Sequence, residues 1–279
     1  MKKLAVIIVT YKFPKAKVER LIHEIVKQGV AKKDIFVRDN TNDNIGYAGA
    51  INGVVKKQLR KYSYFLILNP DIQLHPNAIK ELLKTAEENK GDIVGGVIYD
   101  EKGKVWGSAG VIDRKRYSAG MVQEASDFTM DRKYKRKVKE SQSYIVDFVP
   151  GTVILIKREV FEKVGYFETD YFLYYDEVDF EERAKKFGFR LVINPKAKIT
   201  HFASETVGKN SAAMNYYIAR SHLLFIERHA PTAIKLRELI RIPRTLYQAR
   251  NNKWELLGIR DYFLRKKGRN PKILVEADK

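Results

Sequence analysis

Leu4-Ala-Val-Ile-Ile-Val9, followed by Thr10-Tyr11, is the stretch on which the fold turns. Six apolar residues without polar alternation read as a strand buried on both faces, as in a sheet covered by helices. Working outward, Val18, Leu21, Ile22, Ile25 and Val26 recur at helical spacing and stop near Gly29. A second strand is expected at 34–37, then a helix at 48–59 carrying Ala50, Ile51, Val54, Val55 and Leu59. The third strand, 64–68, is stopped by Asn69-Pro70-Asp71. A helix at 76–88, with Pro76 suited to its first turn, leads to a fourth strand at 92–98. This alternation predicts an α/β protein with a mostly parallel central sheet flanked by helices. Ligands of such sheets bind beyond the carboxyl ends of the strands, where Thr10, Tyr11, Asp39, Asn40, Asn69 and Asp71 lie.

The pattern changes after residue 100. Residues 101–120 are Gly-rich and read as irregular, and the charged stretch 126–143, centred on Arg132-Lys-Tyr-Lys-Arg-Lys137, reads as a mobile excursion. Strand-like runs at 144–148 and 152–156 surround Pro150-Gly151, and a short helix follows at 159–164. A helix at 178–187, ended by Gly188, leads to a strand at 189–193 and a helix at 215–228. The segment 233–267 carries helical apolar positions among many Arg and Lys. The expected organisation is a main domain at 1–231 and a basic helical extension at 232–279. Within the main domain the change of pattern separates a first half, 1–100, from a second, 101–231.

Composition narrows the chemistry. The absence of Cys among 279 residues removes disulfides, thiolate metal sites and cysteine nucleophiles. The N-terminal apolar run is too short for a signal peptide or a bilayer span, so a cytoplasmic protein is expected. A net charge of +19 points to anionic partners: phosphorylated substrates, an anionic membrane surface or nucleic acid.

Four groups of residues carry candidate chemistry. Asp176 and Glu177 stand together in Tyr171-Phe-Leu-Tyr-Tyr-Asp-Glu-Val-Asp-Phe-Glu-Glu-Arg183, where a helix begins. Acids suit a helix N-terminus electrostatically, and an acid beside bulky aromatics also suits a general base, because desolvation raises its proton affinity. Asp71, just past a buried strand, reads as a turn residue or as an oxygen ligand for a divalent cation. Gly46 and Gly49, in Asn44-Ile-Gly-Tyr-Ala-Gly-Ala-Ile-Asn52, allow backbone to approach a ligand at a helix start, although their spacing is not the dinucleotide pattern. His201 follows a short extended run and either stands as a structural histidine or completes a cation site with Asp71.

Together these residues resemble the family 2 glycosyltransferases, particularly the rhamnosyltransferase-like branch. The matching pieces are Val9-Thr10-Tyr11, Asp39-Asn40, the 44–52 segment, Leu68-Asn-Pro-Asp71, Pro150-Gly-Thr-Val-Ile-Leu-Ile-Lys-Arg-Glu-Val-Phe161 and Val164-Gly-Tyr-Phe-Glu168. Phe172-Leu-Tyr-Tyr-Asp-Glu-Val-Asp179, Arg183, Gly188, His201 and Tyr216-Tyr217 with Arg220 complete the series. The resemblance implies a GT-A fold and inverting, metal-dependent transfer from a nucleotide-sugar donor (a dTDP- or UDP-sugar), with 1–100 as the nucleotide-sugar-binding half and 101–231 as the acceptor and catalytic half. It places Thr10, Tyr11, Asp39, Asn40, Asn44, Gly46, Tyr47, Asn52, Asn69 and Asp71 at the donor, with Asp39 at the nucleobase. It gives Asp71 and His201 to Mg2+ or Mn2+, and the second acid of the pair, Glu177, to the base. Relatives carry Glu-Asp where this chain has Asp176-Glu177, so the base is Glu177, one methylene longer, or Asp176 if the pair is shifted. Only Thr41, Asn42 and Asp43 separate Asp39-Asn40 from Asn44, where relatives carry more, and the family's late Arg-Asn pair reads Arg220-Ser221.

The expected acceptor is a glycan or a polyprenyl-linked sugar of cell-surface polysaccharide synthesis. The basic tail fits a peripheral contact with anionic lipid on the inner face of the membrane, or equally packing or dimerisation. Two other readings compete. A sugar-nucleotide nucleotidyltransferase wants a Gly-rich, Arg-bearing loop after the first strand, where this chain has Thr10-Tyr11-Lys12-Phe13-Pro14. A non-catalytic nucleic-acid binder has charge in its favour but no recognised module, so nucleic acid is not the expected partner.

Overall fold

A computed structural model describes residues 3–88, 90–122, 143–202 and 211–273. The chain opens with β1 (Leu4–Thr10), α1 (Lys15–Lys27), β2 (Ile35–Asp39), α2 (Gly46–Gln58) and β3 (Tyr64–Leu68). Next come β4 (Ile72–Leu74), α3 (Ala78–Glu87), β5 (Ile93–Tyr99), β6 (Val105–Gly107), β7 (Ala109–Asp113) and β8 (Ser118–Val122). The second half holds β9 (Tyr144–Ile145), β10 (Val153–Lys157), α4 (Arg158–Val164), α5 (Asp176–Lys186) and β11 (Leu191–His201). Three helices close it: α6 (Ala212–His229), α7 (Thr232–Ala249) and α8 (Lys253–Phe263).

The main sheet runs β2-β1-β3-β10-β5-β11-β4. Strands β2, β1, β3, β5 and β11 share one direction, while β10 and β4 run against them. Continuous apolar runs produce this because both sheet faces are covered. Ala5, Ile7, Val9, Phe65 and Ile67 meet α2, α4 and α5 on one face. Val6, Ile8, Leu66 and Leu68 meet α1 and α3 on the other. The two-residue period of the strand thus feeds two separate cores.

Several expected elements change. The helix after β4 begins at Ala78, beyond Pro76, because Asn77 takes a left-handed conformation at its N-cap. Residues 101–120, expected to be irregular, form β6 on the edge of β5 and the antiparallel hairpin β7–β8. Gly110 approaches Phe148 there, which leaves the expected 144–148 strand only two residues long. The strand expected at 189–193 runs on to His201 and absorbs the extended run before it. The basic stretch around Arg132 lies outside the described residues.

The last helices do different things. α8 lies along α6, where Gly258 lets the backbone come close to Tyr216. The segment after it then returns to the main domain, and Ile273 is buried with Phe172, Tyr216 and Tyr217.

Candidate active site

The strand order brings the ends of β1, β2 and β3 together. The backbone N–H of Asn40 donates to the Thr10 carbonyl at 2.8 Å, and its side-chain amide donates to the Gly46 carbonyl at 3.0 Å. Asn40 is thereby a buried clamp between two strand ends and α2, and its Oδ1 is enclosed without a partner among the described residues. Asp39 is exposed beside it. The hydrogen bond from the Thr41 hydroxyl holds its carboxyl below the usual carboxylate range. Lys12 N–H ties the same Thr41 hydroxyl to the end of β1. The three-residue link from Asn40 to Asn44 is thus a tight turn with its own hydrogen bonds. Asn44 closes the turn by accepting from Gly46 N–H at 3.1 Å.

Gly46 starts α2 at φ +81, a conformation that favours glycine. A Cβ there would lie 2.9 Å from the Phe172 ring and 3.2 Å from its carbonyl oxygen. The first turn of α2 therefore packs directly against the aromatic loop ahead of Asp176. Tyr47 carries the contact further: its hydroxyl donates to Asn69 Oδ1 at 3.1 Å and lies 3.4 Å from the Gly151 carbonyl. Burial pushes that phenol well above its ordinary pKa, and the charges of Asp176, Glu177 and Asp71 add to the effect. The Tyr47 hydroxyl thus links Asn69, two residues before Asp71, to Gly151, which packs against Glu177.

Asp71 reaches this point by sheet register. β4 pairs antiparallel with the end of β11, so His201 faces Ile72 and its ring meets the preceding residue. His201 Nε2 lies 3.2 Å from Asp71 Oδ1. Its Nδ1 is buried without a hydrogen-bond partner among the described residues, and Trp106 packs on the ring at 5.0 Å. Trp106 stands in the stretch read as irregular. The Val105-Trp106-Gly107 run after the Asp100–Gly103 turn was the signal for a short strand.

The acidic pair opens α5. Phe172, Tyr174 and Tyr175 all have positive φ (70, 61 and 68), a costly conformation for bulky residues. Partners on α6 hold the loop in this shape. Arg220, 2% exposed, donates to the carbonyls of Tyr171 at 2.9 Å and Gly268 at 2.7 Å. Ser221 donates to the Leu173 carbonyl at 3.1 Å. Asn270 N–H meets the Tyr217 hydroxyl from the returning C-terminal segment. Ser221, the residue after Arg220, thus adds a second loop-holding hydrogen bond.

Asp176 is buried, and desolvation with the neighbouring Glu177 charge raises its pKa well above the ordinary value. Glu177 is also raised by desolvation, but hydrogen bonds from its own N–H, from Asp176 and from the Gly151 and Val178 backbones favour its anion. Asp176 is thus the more strongly raised of the pair, and Glu177 the one with more hydrogen bonds favouring its anion. Gly151 sits against the Glu177 carboxylate, and a Cβ there would lie 3.2 Å from Oε1.

The other acids of α5 have different duties. Burial would raise Asp179, but His229 (2.7 Å) and Arg183 (2.9 Å) bring it below the usual range. Arg183 also holds the Val164 and Tyr166 carbonyls. Glu181, 1% exposed, accepts from Val149 N–H, and burial raises its pKa well above normal. Sequence reading passed over this residue, whose only signal was its position one helical turn beyond Glu177. Asn52, expected at the donor, lies elsewhere. Its amide donates to the Phe167 carbonyl at 2.8 Å and accepts from Phe167 N–H at 3.0 Å, fastening α2 to the 165–168 turn. Tyr11 packs beside the Phe172 cluster.

This architecture, a mostly parallel sheet with acids gathered at the carboxyl ends and a buttressed acidic helix, is that of a GT-A protein. It matches the crystal structure of GalNAc-T7 with UDP, GalNAc and Mn2+ with a TM-score of 0.60. That match covers 81% of this chain and 48% of the other at 15% identity. Residues 7–165 match the model of glycosyl transferase family 2, and the chain belongs to that family. It is 27% identical over 206 residues to N-acetylglucosaminyl-diphospho-decaprenol L-rhamnosyltransferase of Mycobacterium tuberculosis. The alignment spans 68% of this chain and 66% of the mycobacterial one. Low-salt glycan biosynthesis hexosyltransferase Agl10 of Haloferax volcanii is 25% identical over 164 residues, 58% of this chain and 50% of the relative.

Proposed function

We propose that the chain transfers a sugar from a nucleotide-sugar donor to an acceptor hydroxyl by a single inverting displacement. The observation that carries this reading is that the Tyr47 hydroxyl bonds Asn69, two residues before Asp71, at 3.1 Å and lies 3.4 Å from the carbonyl of Gly151, which packs against the Glu177 carboxylate. The donor lies over the ends of β1, β2 and β3, with Asp39 at the nucleobase and Asn40, Asn44, Gly46 and Asn69 framing the diphosphate. The Glu177 carboxylate takes the proton of the acceptor hydroxyl as its oxygen bonds to the anomeric carbon. The bond from that carbon to the diphosphate oxygen breaks, and the nucleoside diphosphate leaves. Asp176 keeps its own proton and orients Glu177. The Asp71 carboxylate and the His201 Nε2 that face each other at 3.2 Å are donors a divalent cation accepts, and among the described residues no third His or acid joins them. Asp71 and His201 would hold Mg2+ or Mn2+, with phosphate and water oxygens filling the remaining positions. When bound, the ion neutralises charge on the departing diphosphate.

The relatives direct the choice of substrates. The mycobacterial protein's name specifies rhamnosyl transfer to a lipid-linked N-acetylglucosaminyl diphosphate, and the haloarchaeal one hexosyl transfer in glycan synthesis. dTDP- and UDP-sugars are therefore the first donors to supply, with a polyprenyl-diphosphate-linked sugar as acceptor. In this assay Glu177→Gln should lower kcat by roughly 100- to 10,000-fold while donor binding persists. Because Glu177 must be ionised and its pKa is raised, kcat/KM should fall on the acid side as pH drops through that raised value. A fully active Glu177→Gln variant would refute the base assignment. Release of pyrophosphate from a sugar phosphate and a nucleoside triphosphate would favour the nucleotidyltransferase reading instead.

A further inference from the structure

The helix α7 leaves much of its apolar surface uncovered. Leu236, Ile240, Pro243 and Tyr247 recur at three- and four-residue spacing and form one stripe along it. This stripe faces away from the protein: Ile240 is 80% exposed, Tyr247 66% and Leu236 57%, while Leu239 and Ile242 turn toward Leu223 of α6 and Phe263 of α8. The inward side carries Ala249, the helix's buried residue, and Glu238, which is paired with Arg237 and Arg241. Lys235, Arg237, Arg241 and Arg244 accompany this single acid, and Arg250 follows at the C-cap. No helix among the described residues is long and apolar enough to cross a membrane.

An outward apolar stripe set among cations matches the surface of a bilayer with anionic headgroups. Leu, Ile and Tyr enter the boundary between headgroups and acyl chains, while Arg and Lys meet phosphate. A second copy of this chain fits less well, because it would set two basic helices against each other in a protein of net charge +19. We infer that the outward face of α7 seats the protein on an anionic lipid surface. The contact belongs to α7 and not to the whole basic tail, since α8 and the segment through Ile273 are packed onto α6 and the aromatic loop. It is independent of the transferase reading, because nothing in it involves Asp71, Asp176 or Glu177.

The test is cosedimentation of the full chain with vesicles of phosphatidylcholine alone and of phosphatidylcholine with phosphatidylglycerol. The variants are Ile240→Asp and the double charge reversal Arg244→Glu/Arg250→Glu, at two exposed arginines. Wild type should bind the anionic vesicles and lose binding with added salt. Ile240→Asp should weaken binding roughly tenfold or more, from the apolar area withdrawn. The charge reversal should remove the preference for anionic lipid. Urea midpoints and nucleotide binding, measured on the same samples, should stay at wild-type values, which separates lost docking from lost folding. The inference is overturned if wild type ignores anionic vesicles or if folded Ile240→Asp binds them as tightly as wild type. A wild-type dimer that Ile240→Asp converts to monomer, with vesicle binding unchanged, would overturn it in favour of self-association.

Discussion

Glu181→Gln isolates the electrostatic cost of the acidic helix. Glu181 is 1% exposed and accepts one hydrogen bond, from Val149 N–H, while its other oxygen has no partner among the described residues. Burial raises its pKa well above normal, so the folded protein keeps this proton to higher pH than the unfolded chain does. The unfolded chain releases that proton near pH 4.3, the usual Glu value. A raised folded-state pKa means that stability is fully present below about pH 4.3 and is lost as pH rises toward the folded value. Each pH unit between the two values costs about 1.4 kcal/mol. Gln keeps the acceptor for Val149 and a comparable unpaired donor, and has no proton to take up. The variant and wild type should therefore be equally stable near pH 4, with the variant gaining stability as pH rises toward the folded value. Urea denaturation at a series of pH values measures the difference directly. Taking that difference cancels Asp179 and Glu182, whose pKa values are lowered and whose slopes have the opposite sign. Parallel stability curves for the two proteins would refute the claim that folding raises the Glu181 pKa.

Two further substitutions separate the loop from the scaffold. Arg220→Lys replaces a buried fork that serves the Tyr171 and Gly268 carbonyls. It should cost about 1 to 3 kcal/mol of stability and lower kcat more than it changes donor binding, measured by transfer kinetics beside nucleotide titration. An equal effect on both would assign Arg220 to the donor site. Asn52→Ala should destabilise by about 2 to 4 kcal/mol, since both Phe167 backbone groups lose their partner. The surviving folded fraction should keep wild-type nucleotide affinity by calorimetry, and a loss of affinity would return Asn52 to the donor site.

β1 and β3 were legible because each is an unbroken apolar run, and pairing on both sides and burial on both faces go with that property. The carboxyl-end residues came with them: Asp39, Asn40, Asn69 and Asp71 sit where the turns after β2 and β3 must lie. Residues 101–120 were misread because glycines there permit close backbone approach, as Gly110 does against Phe148, and not because order is missing. The three positive-φ residues before Asp176 were invisible in the sequence, since nothing local favours that conformation in Phe or Tyr. They are imposed by Arg220, Ser221 and Gly268, some fifty to a hundred residues away in the chain. Asn52 was placed at the donor by its position in a motif, but a helical residue's face is decided by what packs against it, here the Phe167 turn. The contact between Asp71 and His201 spans 130 residues and depends on the antiparallel register of β4 with β11. β4 was hidden by its brevity, three residues wedged between a turn and a helix.

The central claim is that the strand ends hold a nucleotide-sugar diphosphate with a cation at Asp71 and His201. Calorimetric titration of UDP, dTDP and their sugars tests it most directly, with Mg2+, with Mn2+ and with chelator, on wild type and Asp71→Ala. The account predicts binding of one nucleotide class that requires the divalent ion and disappears in Asp71→Ala. Binding that is unchanged by chelator and by Asp71→Ala, or no binding of any nucleotide by the folded wild type, would contradict it.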